Sequence, residues 1–261
     1  MKKRKTILSL VLALIIYSAC TNEIIESSTE LTVEQQNAVN QLILQQQSKP
    51  ASAIAIVDDI TGSYRSEQET LDFEPLFKAF NLSEERVVIG FCQITDNSND
   101  PMLRCMFTPY LEKPKVDQKN TNPWLLSSEN EQLRIDIKIN ENVNWRIDSL
   151  NRASVCKFRS RLIEREGRQT AYKSDVYGAL KRASYFLGEF PQGKRILIVL
   201  SDFKHTAACK KREIHQLDTT ISLWVVGNAS PKNIFSGTGK KQYRQFENYH
   251  EAFNQAFNNI Y

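Results

Sequence analysis

The chain has 261 residues, and 41% of them are hydrophobic, which is enough for one large domain or two small ones. Four of the 34 basic side chains lie at residues 2–5, and the other 30 equal the 30 acidic side chains, so the rest of the chain has a formal net charge of zero. This balance argues against a nucleic-acid-binding surface, because such a surface concentrates positive charge.

The first 19 residues have the pattern of a signal peptide. A basic start precedes the apolar run TILSLVLALIIY, which is short for a membrane span, and small residues precede Cys20. The stretch YSAC resembles the lipobox of bacterial lipoproteins. The resemblance implies cleavage before Cys20, lipidation of its thiol, with palmitate among the acyl chains, and anchoring in the bacterial cell envelope, periplasmic or at the cell surface. The alternative is an ordinary secretory signal that ends near a cysteine.

Residues 20–31 are polar and acidic without periodicity, which predicts a flexible tether. An N-terminal helix is predicted over residues 32–49. Thr32 can cap this helix with Gln35 as its capping-box partner, and Pro50 ends it.

Residues 50–108 predict three strands and a short helix. The runs SAIAIVD, ERVVIGFCQI and PMLRCMFTPY are strand-like, and LDFEPLFKAF is helical. The short DNSND connection permits only antiparallel pairing of the second and third strands. Residues 109–130 read as a long loop, and QLRIDIKIN alternates like a half-buried strand. The stretch 109–147 is therefore expected to be an insertion, with this strand in a hairpin.

The C-terminal part alternates helices with apolar strands. Residues 148–190 predict two helices with a break near EGRQTAYKSD. The runs KRILIVLSD and TISLWVVGN predict buried strands, and the tail ends in an amphipathic helix. Strands without alternation, separated by helices, indicate an α/β fold: a doubly wound, mostly parallel sheet with one antiparallel edge strand and helices on both faces. One domain is expected over residues 50–261.

Four cysteines follow Cys20: Cys92, Cys105, Cys156 and Cys209. In an exported protein an even number of cysteines can pair. Cys92 and Cys105 lie on neighbouring predicted strands, so a disulfide between them is one possibility. The alternative is that the cysteines are buried free thiols.

Carboxylates stand where two buried strands end. Asp59 follows the first strand and Asp202 follows ILIVLS. Two such charges repel each other unless a cation lies between them. Thr61 and Ser63 add neutral oxygens, and Ser174 adds a third just before a helix. Hard cations such as Mg²⁺ prefer oxygen ligands of this kind.

These residues resemble a known family. The stretch DITGS, residues 59–63, is similar to the D-x-S-x-S loop of von Willebrand factor A domains, which builds their metal-ion-dependent adhesion site. In that family a second loop supplies a Thr before a helix, and Ser174 of YKSDVYGAL stands there. A third loop supplies an Asp after an apolar strand, and Asp202 of IVLSDF stands there. The three motifs follow the family's order between residues 50 and 258.

The departures from the family pattern are limited. Thr61 and Ser174 keep a hydroxyl, whereas Phe203 replaces the usual Gly after the third-loop Asp. Thr170 competes with Ser174 for the second-loop position. Asp58 and Asp175 are expected to support the site as neighbouring hydrogen-bonding groups, and for Asp175 a role at the helix N-terminus is the alternative.

The resemblance implies a binding module and not an enzyme. The expected ligands of the ion, which is Mg²⁺ or else Mn²⁺ or Ca²⁺, are Asp59, Thr61, Ser63, Ser174 and Asp202. An acidic residue of a partner protein would complete the ion's shell, and no nucleic acid is involved. The alternative function is a structural or assembly component of an envelope complex, with a vestigial or purely stabilising metal site. No nucleophile with an orienting base is evident in the sequence.

Overall fold

The computed structural model describes residues 31–61, 71–96, 100–114, 123–166, 171–204, 215–227, 235–236 and 243–260. These ranges contain five helices: α1 Val33–Ser48, α2 Glu74–Asn81, α3 Pro123–Glu166, α4 Val176–Gly188 and α5 Tyr249–Ile260. They also contain eight strands: β1 Ala51–Asp59, β2 Arg86–Ile94, β3 Leu103–Phe107, β4 Arg195–Leu200, β5 His215–Gln216, β6 Ile221–Val226, β7 Phe235–Ser236 and β8 Tyr243–Phe246. None of these helices has the length and apolar character that crossing a membrane requires.

The chain divides into two compact units. The first comprises Met1–Lys49 and Thr108–Cys156, and its described part consists of α1, the segment 108–114 and α3 as far as Cys156. The second comprises Pro50–Phe107 and Lys157–Tyr261 and contains all eight strands. The stretch 109–147 thus falls in the first unit, together with the N-terminal helix.

Six strands of the second unit form one sheet in the order β3-β2-β1-β4-β6-β8. The edge strand β3 runs antiparallel to β2, and the other neighbours in the sheet pair in parallel. β5 and β7 form a separate parallel pair. This architecture confirms the predicted α/β fold class. The chain builds the β1-β2-β3 half first and the β4-β6-β8 half afterwards, so the boundary between β1 and β4 is the topological switch point.

Helices cover both faces of the sheet. On one face α4 packs against Ala53, Ala55 and Val57 of β1, whose small side chains let the helix lie close to the strand. Successive strand residues point to opposite faces. On the other face α2 and α5 meet the sheet through a cluster of phenylalanine rings, which comprises Phe73, Phe77, Phe80, Phe91, Phe107, Phe158, Phe253 and Phe257.

In the first unit α1 begins with the predicted capping box. The Thr32 hydroxyl accepts from the Gln35 backbone N–H, and the Gln35 side chain accepts from the Thr32 backbone N–H. α1 and α3 share a small apolar core built from Val39, Ile43, Val143 and Ile147. The predicted helix over residues 32–49 is confirmed.

The predicted strand QLRIDIKIN is wrong, and so is the loop prediction from residue 123 onward, because both stretches belong to α3. The buried positions described for this helix are three, four or seven residues apart, as on one face of a helix: Asn140, Val143, Ile147, Asn151, Phe158 and Arg165. Three of the six are polar, so the hydrophobic period of a helix is masked. The alternating apolar residues do not share a face, and Ile137 is exposed.

The asparagines of α3 bind an extended segment of backbone. Asn151 accepts from the Thr108 N–H at 2.9 Å and donates to the Thr108 carbonyl at 3.1 Å. Asn144 makes the same pair of bonds with Leu111, at 2.7 and 3.1 Å. Residues 108–112 therefore obtain from side chains the hydrogen bonds that a neighbouring strand would otherwise supply.

The cysteines separate into two groups. Cys92 and Cys105 are buried free thiols, so the considered bridge between them is not formed. Burial raises the pKa of the Cys92 thiol to about 11, which leaves it protonated and unreactive. Cys156 is disulfide-bonded.

Candidate metal-binding site at the carboxyl end of the sheet

The candidate site lies where the sheet reverses its strand order. β1 and β4 are parallel neighbours, with Asp58 opposite Leu200, so the residues that follow each strand meet at the same edge. Asp59 is the last residue of β1, and Asp202 follows Leu200 by two residues. In open α/β sheets this edge, at the switch point, is where ligands bind.

A chain of hydrogen bonds joins three of the predicted ligands. The Thr61 hydroxyl donates to Asp59 Oδ1 at 2.6 Å and accepts from the Ser174 hydroxyl at 2.8 Å. The Thr61 backbone N–H donates to the same Asp59 oxygen at 3.1 Å. All three side chains are buried, and Asp59 is only 1% exposed. The structure thus brings residues 113 positions apart into direct contact.

Backbone contacts fix the loop that carries Ser174. Thr61 and Ala171 form an isolated parallel bridge between the first and second loops. The Asp175 N–H donates to the Thr95 carbonyl at 2.9 Å, which ties the loop to the end of β2. The Asp175 side chain accepts from the Gly178 N–H as the N-cap of α4. The carboxylate of Asp175 therefore serves the helix terminus.

Ser201 is a site residue that the sequence reasoning missed. Its hydroxyl is fully buried, donates to Asp59 Oδ2 at 2.6 Å and accepts from the Phe203 N–H at 2.9 Å. Strand alternation offered a signal, because Leu197 and Val199 of β4 face α4 and Ser201 continues that series. Ser201 fixes the Asp59 carboxylate from the β4 side.

The third loop presents Asp202 at the rim of the site. The Asp202 carboxylate accepts from the Lys204 N–H and forms an ion pair with the Lys204 ammonium, each at 3.0 Å. Phe203 has a positive φ of 57°, the left-handed conformation that favours glycine. Its side chain is buried against the α4 face of the sheet. A buried phenylalanine thus occupies a backbone conformation that glycine would adopt without strain.

The electrostatics of Asp59 favour a cation. Burial raises the pKa of the Asp59 carboxyl above its ordinary value, hydrogen bonds from Ser201 and Thr61 lower it in part, and the charge of Asp202 raises it further. No basic side chain of the described residues forms an ion pair with Asp59. A divalent cation beside the carboxylate would oppose the cost of burying its charge.

The spacing of the oxygens suits a small cation. Mg²⁺ binds oxygens at about 2.0–2.1 Å in an octahedron, so neighbouring ligand oxygens lie about 2.9 Å apart. The successive side-chain oxygens of Asp59, Thr61 and Ser174 are separated by 2.6 and 2.8 Å. Carboxylate and hydroxyl oxygens are also the ligand type that hard cations prefer. The type of the donor atoms therefore suits a Mg²⁺ ion, and their spacing, which the hydrogen bonds already set, is compatible with one.

Other predicted site residues are placed differently or lie outside the described part of the chain. Ser63 and the competing Thr170 belong to undescribed stretches. Asp58 precedes Asp59 on β1, so its side chain points to the opposite face of the sheet. Within the described ranges no three His, Cys, Asp or Glu side chains cluster around a possible metal. The candidate set has only two carboxylates, and hydroxyls make up the rest.

No protein-family model matches the chain, and no curated protein matches it either.

Proposed function

We propose that this chain is a lipid-anchored protein of the bacterial envelope whose α/β domain binds a divalent cation and, through it, an acidic group of a partner protein. The observation that carries the proposal is the hydrogen-bonded series of Asp59, Thr61 and Ser174 at the switch point of the sheet. The hydroxyls of two loops are linked there to a buried carboxylate: Thr61 contacts Asp59 directly, and Ser174 contacts Thr61. The domain is proposed as a binding module resembling von Willebrand factor A domains, without catalytic activity.

Each residue of the site has a distinct part in this function. Asp59 supplies negative charge from the buried strand end, and Thr61 and Ser174 supply neutral oxygens. Ser201 orients Asp59, and Asp202 adds a second carboxylate at the rim. Mg²⁺ supplies a concentrated positive charge that a partner's carboxylate can reach. The two carboxylates of the set carry a formal charge of −2, which balances that of the ion, so a partner's carboxylate would be attracted by an open coordination position of the ion and not by a net positive charge.

The rim offers a surface for such a partner. Tyr172 is 91% exposed, and Lys173 is also exposed, both two residues or fewer from Ser174. Exposed aromatic side chains are common anchors of protein interfaces. The Lys173 charge favours an acidic partner. We therefore place the partner's contact on the loop that precedes α4.

Two features support the envelope location. The segment before Cys20 resembles a lipoprotein signal. Cys156 is disulfide-bonded, and disulfides are typical of proteins outside the reducing cytoplasm. Fractionation and surface labelling of cells that produce the protein test this location.

A second function is favoured by a specific observation. Both Asp59 oxygens already accept hydrogen bonds, and Asp202 is paired with Lys204. A site satisfied in this way is stable without a metal. The domain would then be a structural or assembly component of an envelope complex, with the polar cluster serving only to join β1, β4 and α4.

Calorimetric titration of Mg²⁺, and then of Mn²⁺, into the chelator-treated full chain separates the two functions. We expect saturable binding that Ser174→Ala weakens and Asp59→Ala abolishes. The matched control is Ser184→Ala, which removes the same hydroxyl from within α4. Absence of binding by the wild-type protein, with normal folding by circular dichroism, would reject the metal-dependent function in favour of the structural one.

Cross-linking in cell envelopes then addresses the partner. We expect a protein that is captured by the wild type and released both by chelation and by Ser174→Ala. A partner that stays bound after chelation would show that the metal is not the recognition element. In that case the metal, if bound, serves only to stabilise the domain.

A further inference from the structure

Lys204 engages both oxygens of the rim carboxylate. The Lys204 backbone N–H donates to Asp202 Oδ1 at 3.0 Å, and the Lys204 ammonium lies 3.0 Å from Asp202 Oδ2. A cation that is part of the chain therefore stands at the carboxylate that the metal site would use. The hydrogen bond from the backbone positions the loop, whereas the ammonium is carried by a long side chain with several rotatable bonds.

We propose that Lys204 is an internal competitor for the metal site: its ammonium holds Asp202 in the metal-free protein and gives up the carboxylate when a divalent cation binds. This inference rests on the proposed metal-binding function. It assigns to Lys204 a role in setting metal affinity, which neither the sequence motifs nor the resemblance to von Willebrand factor A domains indicates.

The exposure of the two side chains sets the strength of this competition. The Lys204 side chain is 72% exposed and that of Asp202 is 21% exposed. Ion pairs exposed to this extent are weak, because water screens the charges and the lysine loses side-chain entropy. Such a pair shifts metal affinity without preventing metal binding. We expect removal of the ammonium to tighten Mg²⁺ binding about 1.5- to 5-fold.

The competition also changes the charge of the rim. In the metal-free protein the Lys204 and Asp202 charges offset each other. Once Asp202 faces a divalent cation, the Lys204 ammonium is exposed beside the third loop as an additional positive charge. Both the metal ion and the Lys204 ammonium would then attract an acidic partner. Partner binding therefore becomes coupled to metal binding by electrostatics.

The test compares three variants of the chelator-treated full chain by calorimetric titration of Mg²⁺. Lys204→Met removes the ammonium, Lys204→Arg keeps a cation in place, and Lys173→Met removes a cation from the second loop. The Lys173 ammonium forms no ion pair with the described acidic residues. We expect the largest tightening of Mg²⁺ binding for Lys204→Met, affinity near that of the wild type for Lys204→Arg, and a smaller tightening for Lys173→Met, which removes a nearby charge but no ion pair to the site.

Acetylation of lysines, followed by mass spectrometry, supplies a readout that does not depend on affinity. An ammonium held by a carboxylate is protected from modification. We expect Mg²⁺ to increase the acetylation rate of Lys204 and to leave that of Lys173 unchanged. Ser174→Ala, which weakens the site from the second loop and leaves Lys204 in the chain, should remove the effect of Mg²⁺ on Lys204.

The outcomes separate this inference from the proposed function. If the wild type binds Mg²⁺ but Lys204→Met has unchanged or weaker affinity, the competitor role is wrong and the metal site stands. If Lys204→Met and Lys173→Met increase the affinity for Mg²⁺ equally, the increase comes from the general loss of positive charge. That result would also reject the competitor role. If neither the wild type nor Lys204→Met binds Mg²⁺ or Mn²⁺, both proposals fall together.

Discussion

Ser201→Ala tests whether one hydroxyl orients the buried carboxylate. Ser201 donates to Asp59 Oδ2 at 2.6 Å and accepts from the Phe203 N–H at 2.9 Å, and it is fully buried. A hydrogen bond to a charged group contributes about 1.5–3 kcal/mol, and a buried N–H left unpaired costs about 1–3 kcal/mol. We expect Ser201→Ala to lower the free energy of unfolding by about 2–4 kcal/mol near neutral pH.

The effect should depend on pH, because Ser201 stabilises the ionised form of Asp59. Burial raises the folded-state pKa of Asp59. The stability that the neutral Asp59 carboxyl preserves is therefore present in full below about pH 4. It is lost as the pH rises through the folded-state pKa and the buried carboxyl ionises. Ser201→Ala raises this pKa further. The loss of stability should thus be larger at pH 8 than at pH 4, where the carboxyl is neutral and the bond is weaker.

Urea unfolding of the wild type and Ser201→Ala, at pH 4 and pH 8 with chelator present, measures this difference. Ser184→Ala, a partly exposed serine of α4, is the control and should change stability by less than about 0.5 kcal/mol. The reasoning is refuted if Ser201→Ala costs the same at both pH values. It is equally refuted if the cost at pH 8 is no greater than that of the control.

Two further predictions concern the site, and a third concerns the asparagines of the first unit. Without metal, we expect the wild type to lose stability between pH 4 and pH 8, by at most about 1.4 kcal/mol per pH unit, as Asp59 ionises. Asp59→Asn should lose less stability over the same range, as measured by urea unfolding at both pH values. Phe203→Gly should relieve about 1 kcal/mol of backbone strain but lose a buried ring, for a net destabilisation of about 2–4 kcal/mol in chelator-treated thermal unfolding, with Mg²⁺ affinity unchanged. Asn151→Ala should destabilise by about 2–4 kcal/mol, because it leaves the buried backbone groups of Thr108 unpaired, whereas Asn144→Ala, whose partners are only partly buried, should cost about half as much in urea unfolding. Equal costs for the two asparagines would contradict the role of burial.

Local sequence determined the elements whose signals are strong and contained within one segment. β1, β4 and β6 contain continuous apolar runs at residues 53–57, 196–200 and 223–226, and only a strand buried on both faces needs such a run. The Thr32 capping box lies within four residues, so its geometry follows from the local chain. The carboxylates at the ends of β1 and β4 were likewise visible, because a charge after a buried strand requires a partner.

Tertiary structure decided the features that depend on residues far apart in the chain. The α3 helix was mistaken for a strand because its buried face includes asparagines, and their bonds to residues 108–112 cannot be read from hydropathy. The same holds for Ser201, whose meaning depends on Asp59 142 positions earlier. Short-range periodicity records which face of a segment is buried, but it carries no information about which polar groups meet across that face. For this protein the sequence by itself determined five strands of the main sheet and the carboxylates that follow two of them, and only the tertiary structure joined Asp59 to the hydroxyls of Thr61, Ser174 and Ser201.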